Sequence, residues 1–129
     1  MFRIQDSEVR IQIMLNFKDL AIWQRSHKLT LEIYRATQHF PKEEIYGLTS
    51  QIRRAVSSIP TNIAEGCGRH TNAELANFLN IASGSASEVE YEILLAKEVG
   101  YITEVQYETW VNEICELRSM LAAYMKRLK

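Results

Sequence analysis

Three histidines, two cysteines, a serine pair and a run of glutamates are the side chains in this 129-residue sequence that can ligate a metal, attack a carbonyl or carry a proton. Their spacing builds no working site. A metal centre needs several converging ligands, yet His27, His39 and His70 have no ligand-type partner one helical turn away, and Cys67 with His70 supplies only two. His27, beside Trp23, reads as a packed or interface histidine. A di-iron site of the kind held in helix bundles needs a histidine three residues after a glutamate, and Glu88, Glu90 and Glu92 have none. Ser57 and Ser58 lack a neighbouring base, and Gly66-Cys67-Gly68 lacks the preceding strand and the Lys-Ser/Thr of a phosphate loop. These residues predict no enzyme, no metal and no cofactor.

Charge is the remaining chemistry. The total is only −1, which gives no sign of polyanion binding, but its distribution is uneven. The third predicted helix is acidic (Glu74, Glu88, Glu90, Glu92 and Glu98 against Lys97), whereas the first carries Lys18, Arg25, Lys28 and Arg35 against Asp19 and Glu32. At 100° steps Arg25, Lys28 and Arg35 share one arc, and Arg53 and Arg69 lie in or just past the second helix. These five are the candidate nucleic-acid-binding residues, acting on a phosphate backbone electrostatically. The same unevenness also suits helix-to-helix charge matching inside an assembly, or ordinary solubilising charge.

The elements that position these groups follow from apolar periodicity. Asn16, with Asp19 three residues on, marks a helix start, and the helix is predicted to run from Phe17 to His39 with Pro41 ending it. Leu20, Trp23, His27, Leu31 and Tyr34 make one stripe, and Ile22, Leu29, Ile33, Ala36 and Phe40 a second. Two stripes exceed what one core requires, so the chain has either a generous core or a subunit interface. The interface is expected on the second stripe, or on the small polar face (Ser50, Arg54, Ser57, Thr61 and Glu65) of the next helix. That helix opens with Glu43 and Glu44 in its first turn and carries Ile45, Leu48, Ile52, Val56, Ile59 and Ile63 in one phase through Pro60. A kinked but continuous helix is predicted, with Ser57 or Ser58 bonding a carbonyl freed by the proline. Gly66 and Gly68 are expected to close it as left-handed caps.

Thr71 with Glu74 and Thr103 with Gln106 predict capping boxes for the third and fourth helices. Leu75, Phe78, Ala82, Ala86, Val89, Ile93 and Ala96 keep phase across the small residues around Gly84, which argues for continuous helix rather than a linker, ending at Gly100. Tyr107, Trp110, Ile114, Leu117, Leu121, Tyr124 and Leu128 form the last seam. Short connections between long helices predict an all-α fold, an up-down-up-down four-helix bundle. Residues 1–15 read as a leader, poorly ordered or an upstream extension, with one domain over 16–129. No apolar run reaches the roughly 18 residues of a membrane span. Asp6 and Glu8 do not fit a signal peptide, so a cytoplasmic protein with reduced cysteines is expected.

Three stretches carry a resemblance: NFKDLAIWQRSHKLTLEIY, FPKEEIYGLTSQIRRAVSSIPTNIAEGCGR and ELANFLNIASGSASEVEYEILLAKEVGYI. With Trp23, Tyr46-Gly47-Leu48, Arg53-Arg54, Ser58-Ile59-Pro60, Asn62 to Gly66 and Gly84-Ser85 in this spacing, the chain resembles the bacterial four-helix-bundle proteins encoded in intervening sequences of 23S ribosomal RNA genes. The resemblance implies a ring-like homopentamer without catalytic residues. It extends to the accessory proteins of diversity-generating retroelements, which partner a reverse transcriptase and nucleic acid, although this chain is slightly acidic where those are strongly basic. Two functions follow as expectations: a non-catalytic oligomer binding RNA or DNA, or a scaffold or adaptor binding a protein partner without touching nucleic acid.

Overall fold

The computed structural model describes residues 15–129, and all regular structure among them is helical. The leader expectation falls mostly on residues 1–14, which lie outside the described residues. Four helices, α1 (Ala21–Thr37), α2 (Leu48–Cys67), α3 (Asn72–Glu98) and α4 (Glu104–Arg127), surround one apolar core. The α2–α3 pair shares the most extensive contact, α1–α2 and α3–α4 follow, and α1–α4 meet along the thinnest seam.

The first helix starts later than its sequence pattern implies. Asn16 does cap, accepting from the Lys18 amide at 3.0 Å, but it caps a separate 3-10 turn (Phe17–Asp19), and the extended Leu20 intervenes before α1. The stripe expected at an interface, Ile22, Leu29, Ile33 and Phe40, is 0–7% exposed within the single chain. It is therefore the core stripe, which excludes it as a free interface. The other stripe faces outward: Trp23 and His27 are half-buried and stacked 4.7 Å apart, and Leu31 and Tyr34 are 38% and 39% exposed.

Glu43 and Glu44 belong to a second 3-10 turn (Lys42–Glu44) rather than to α2, and Ile45 leaves the seam to stand in solvent. Glu44 still organises the helix start. Its carboxylate accepts the Leu48 amide at 3.0 Å and the Tyr101 hydroxyl at 2.7 Å, and these bonds hold its pKa below the usual carboxylate range. One side chain thereby ties the α1–α2 connection to the α3–α4 connection.

Through Pro60 the helix α2 continues unbroken, as its phase demands. The proline has no N–H for the Val56 carbonyl four residues back. Thr30 of α1, not Ser57 or Ser58, reaches that carbonyl, with its hydroxyl 3.2 Å from Val56 O and 2.8 Å from Ser26 O. Ser57 instead bonds Arg54 O, and Ser58 meets the Ser85 hydroxyl of α3 at 2.9 Å. Neither Gly66 nor Gly68 is a left-handed cap: Gly66 is helical and buried, and Gly68 has φ −88°. Gly66 is there for space, since a Cβ would lie 2.9 Å from Leu75 Cδ1 and 3.0 Å from Phe78 Cβ.

Helix α3 passes intact through the small-residue stretch. Ala82 and Ala86 are fully buried, Ser85 bonds across to α2, and Gly84 faces outward with no packing neighbour among the described residues. Gly100, at φ +87°, ends the helix with the Tyr101 amide returning to Ala96 O at 2.8 Å. Thr103 and Gln106 form the full reciprocal box at the start of α4, and Thr71 caps α3 by accepting from the Glu74 amide.

Candidate functional site

Arg25, Lys28 and Arg35 lie on the edge of α1 that faces α4, along the thin seam. Open grooves mark it at both ends. One cavity of about 480 Å³ has Trp110, Ala36 and Val105 in its wall and Arg35 and His39 at its rim; another, of about 340 Å³, lies between Leu20 and Ile22 of the α1 end and Met120 and Tyr124 of α4.

Between them Arg25 crosses from α1 to α4. Its guanidinium makes a bidentate contact to Glu113, both N···O distances 2.9 Å, and a third bond to Glu116 at 2.7 Å. The hydrogen bonds to Glu116 and then Glu113 bind its proton still more firmly than usual, and Glu116 is correspondingly held below the ordinary carboxylate range. The sequence placed Arg25 with Lys28 and Arg35 facing water; the structure commits it to a helix-to-helix clamp, because the fork geometry of a guanidinium matches two nearby carboxylates better than it matches solvent.

Two more of the five cations are also committed. Arg53 donates to Thr37 Oγ1 at 2.8 Å and Tyr34 O at 3.2 Å while its guanidinium lies 4.9 Å from the Tyr34 ring, so it closes the last turn of α1. Arg69 pairs with Glu65 at 3.6 Å and covers Phe78. Lys28 approaches Glu32 only at 4.0 Å, and Arg35 makes no ion pair among the described residues. Of the set, Lys28 and Arg35 alone stay together and exposed.

A second cluster, on the α2–α3 shoulder, did not enter the sequence-based site set. Ser58 and Ser85 are hydroxyl to hydroxyl, and Asn62 donates to Ser58 O at 2.8 Å and to its Oγ at 2.9 Å. Further along α3, Glu92 is 4% exposed and its Oε1 has no hydrogen-bond partner among the described residues. Burial, the adjacent Glu88 charge and a hydrogen bond with Glu88 push its pKa up to about 7, against the opposing pull of Arg54. A signal for it existed in the sequence: Glu92 occupies the apolar phase next to Val89, Ile93 and Ala96.

Other reactive groups stay apart. Cys67 and Cys115 are free thiols, and burial pushes the Cys67 pKa up to about 11, away from nucleophilic use. Among the described residues no group of three or more metal-ligating side chains converges, and no helix is long and apolar enough to cross a membrane.

With this geometry in view, the family is decided by residues 18–123, which match the model of the 23S rRNA-intervening sequence protein family. The chain belongs to that family. A crystal structure of a protein of unknown function from the S23 ribosomal protein family of Bacteroides thetaiotaomicron shares the fold at 29% identity and a TM-score of 0.74. The match covers 82% of the present chain and 99% of that one. No curated protein matches the sequence.

Proposed function

We propose that this 23S rRNA-intervening sequence family member is a non-catalytic scaffold that binds protein: an up-down-up-down four-helix bundle assembled as a ring-like homopentamer, in which nucleic acid is not gripped directly. The observation that carries this reading is the internal use of the basic residues. Arg25, Arg53 and Arg69 are held by carboxylates, a carbonyl, a hydroxyl and aromatic rings of the same chain, so of the five candidate cations only Lys28 and Arg35 stay exposed for a phosphate backbone. Exposed apolar side chains supply the alternative recognition chemistry, with Tyr46 94% and Val105 72% exposed beside Leu31 and Tyr34. Short connections between packed successive helices support the alternating topology.

A second reading, electrostatic RNA or DNA binding, rests on Lys28 and Arg35, which a ring would repeat around its circumference. Fluorescence anisotropy with structured RNA and duplex DNA over a salt series separates the two. The variant to compare is Lys28→Glu with Arg35→Glu, leaving the Arg25 clamp intact. No binding at low salt is expected of the wild-type assembly. Tight, salt-sensitive binding that this variant abolishes would overturn the scaffold reading in favour of nucleic acid.

A further inference from the structure

The cavity of about 480 Å³ between the C-terminal half of α1 and the first turns of α4 falls within the span of about 300–1,000 Å³ usual for ligand pockets. Its wall is apolar: Trp110, 5% exposed, belongs to the core, and along the thin α1–α4 seam it shares the wall with Ala36 and the exposed Val105. The polar groups around this wall are mostly donors. Arg35 is exposed and makes no ion pair among the described residues, and His39 stands one turn further along α1. Gln106 has its carboxamide oxygen occupied by the Thr103 amide at 2.8 Å, so the NH2 end is the part of it that remains for a ligand. One carboxylate lines the cavity, Glu32, and Lys28 approaches it at 4.0 Å.

The chemistry of the occupant follows from this rim. A guanidinium without a counter-ion, set among further donors, calls for an anionic acceptor, and its planar fork matches a carboxylate. A phosphate dianion would bring a second negative charge up to Glu32 with no second unpaired guanidinium to meet it. Arg35 directly precedes Ala36, so the charged and apolar parts of the site are one residue apart, a separation that a carboxylate on the same carbon as a bulky apolar side chain can span. The cavity is also open along the seam, covering one side of its occupant, whereas a pocket for a free small molecule encloses most of the ligand. That shape suits the last residue of a longer chain whose preceding residues run out into solvent.

We propose that this α1–α4 cavity binds the carboxyl-terminal residue of a protein partner, its bulky apolar side chain lying against Trp110, Ala36 and Val105 and its α-carboxylate on Arg35. The inference rests on the scaffold reading above and names the part of the partner that is held.

Fluorine NMR of the full chain labelled with 5-fluorotryptophan tests it. The sequence has two tryptophans, and Trp110 lines the cavity while Trp23 does not, so each titration carries its own control. Three probes are compared: acetyl-Ala-Ala-Phe with a free carboxylate, the same peptide as its C-terminal amide, and 3-phenylpropionate, which has the ring and the carboxylate but no preceding residues. The free-acid peptide is expected to shift the Trp110 signal and leave Trp23 in place, and to bind about tenfold more tightly than its amide and more tightly than 3-phenylpropionate. Arg35→Gln, at an exposed residue with no ion pair to lose, is expected to bring acid and amide within about twofold of each other. An unmoved Trp110, equal binding of acid and amide, or an acid preference that survives Arg35→Gln would overturn the cavity as a carboxylate site while leaving the scaffold reading standing, since a scaffold can bind through another face. Binding of 3-phenylpropionate as tight as that of the peptide would overturn the protein terminus in favour of a free acid. Structured RNA that shifts Trp110 in wild type but not in Arg35→Gln, and that the peptide cannot displace, would remove this site and the scaffold reading together.

Discussion

Thr30 is predicted to be coupled to Pro60, although the two are on different helices and neither side chain bonds the other. The link is the Val56 carbonyl. Pro60 denies it the helical N–H it would otherwise accept, and the Thr30 hydroxyl stands 3.2 Å away in a buried environment. The other acceptor near that hydroxyl, Ser26 O at 2.8 Å, is four residues back and already takes the Thr30 amide in the α1 ladder. Thr30→Val keeps the shape and the β-branch while deleting the donor. A buried carbonyl left unsatisfied costs about 1–3 kcal/mol, so the variant is expected to lose that much in urea denaturation followed by circular dichroism. In a Pro60→Ala background, the backbone amide gained at position 60 can return to Val56 O. The same Thr30→Val change should then cost no more than about 0.5 kcal/mol, which makes a double-mutant coupling of about 0.5–2.5 kcal/mol. The effect of Pro60→Ala alone is immaterial to this difference. Equal costs for Thr30→Val in both backgrounds would refute the reasoning, showing that the hydroxyl serves Ser26 O or nothing.

Two further predictions concern buried groups. For Glu92, a folded-state pKa near 7 lies above its ordinary value of 4.5, so the folded chain holds the proton more tightly than the unfolded one and stability falls as pH rises between those values. In the unassembled chain the loss is roughly 3 kcal/mol by pH 8, most of it accrued between pH 5 and 7, and Glu92→Gln should abolish that slope; a wild-type-to-variant difference that is constant across pH 5–8 in denaturant titrations would contradict the burial argument. Gly66→Ala should destabilise by about 1–2 kcal/mol, because overpacking against Leu75 and Phe78 outweighs the better helix propensity of alanine. Gly68→Ala, whose added methyl meets nothing closer than 3.5 Å, is the control expected to keep the wild-type melting temperature.

Most of the helical frame was legible because it depends on one-dimensional periodicity. Ile52, Ile59 and Ile63 keep phase through Pro60, and Ala82, Ala86 and Val89 keep it across Gly84, and both helices are continuous for that reason. What the pattern could not choose was the role of each stripe on α1. Ile22 and Leu29 differ little in composition from Trp23 and Leu31, and the choice follows from where α2 sits, which periodicity does not encode. The early boundaries of α1 and α2 failed for a local reason: a 3-10 turn satisfies the same capping and apolar cues over three residues, as Phe17–Asp19 and Lys42–Glu44 do. The candidate site was less legible still. An arc of cations on a helical wheel looks solvated until the facing helix is placed, and Glu113 and Glu116, 88 and 91 residues away from Arg25, were invisible to any local reading.

Pairing across helices also explains how charge organises a nearly neutral chain. Where α1 and α4 pack thinly, Arg25 supplies by hydrogen bonding what apolar contact does not, and the acidic α3 disposes of Glu90 through Arg118 in the same manner. The small net charge is therefore compatible with strong electrostatic organisation: Arg25, Lys97 and Arg118 each meet a carboxylate of a neighbouring helix, so opposite charges cancel inside the fold rather than being absent from it.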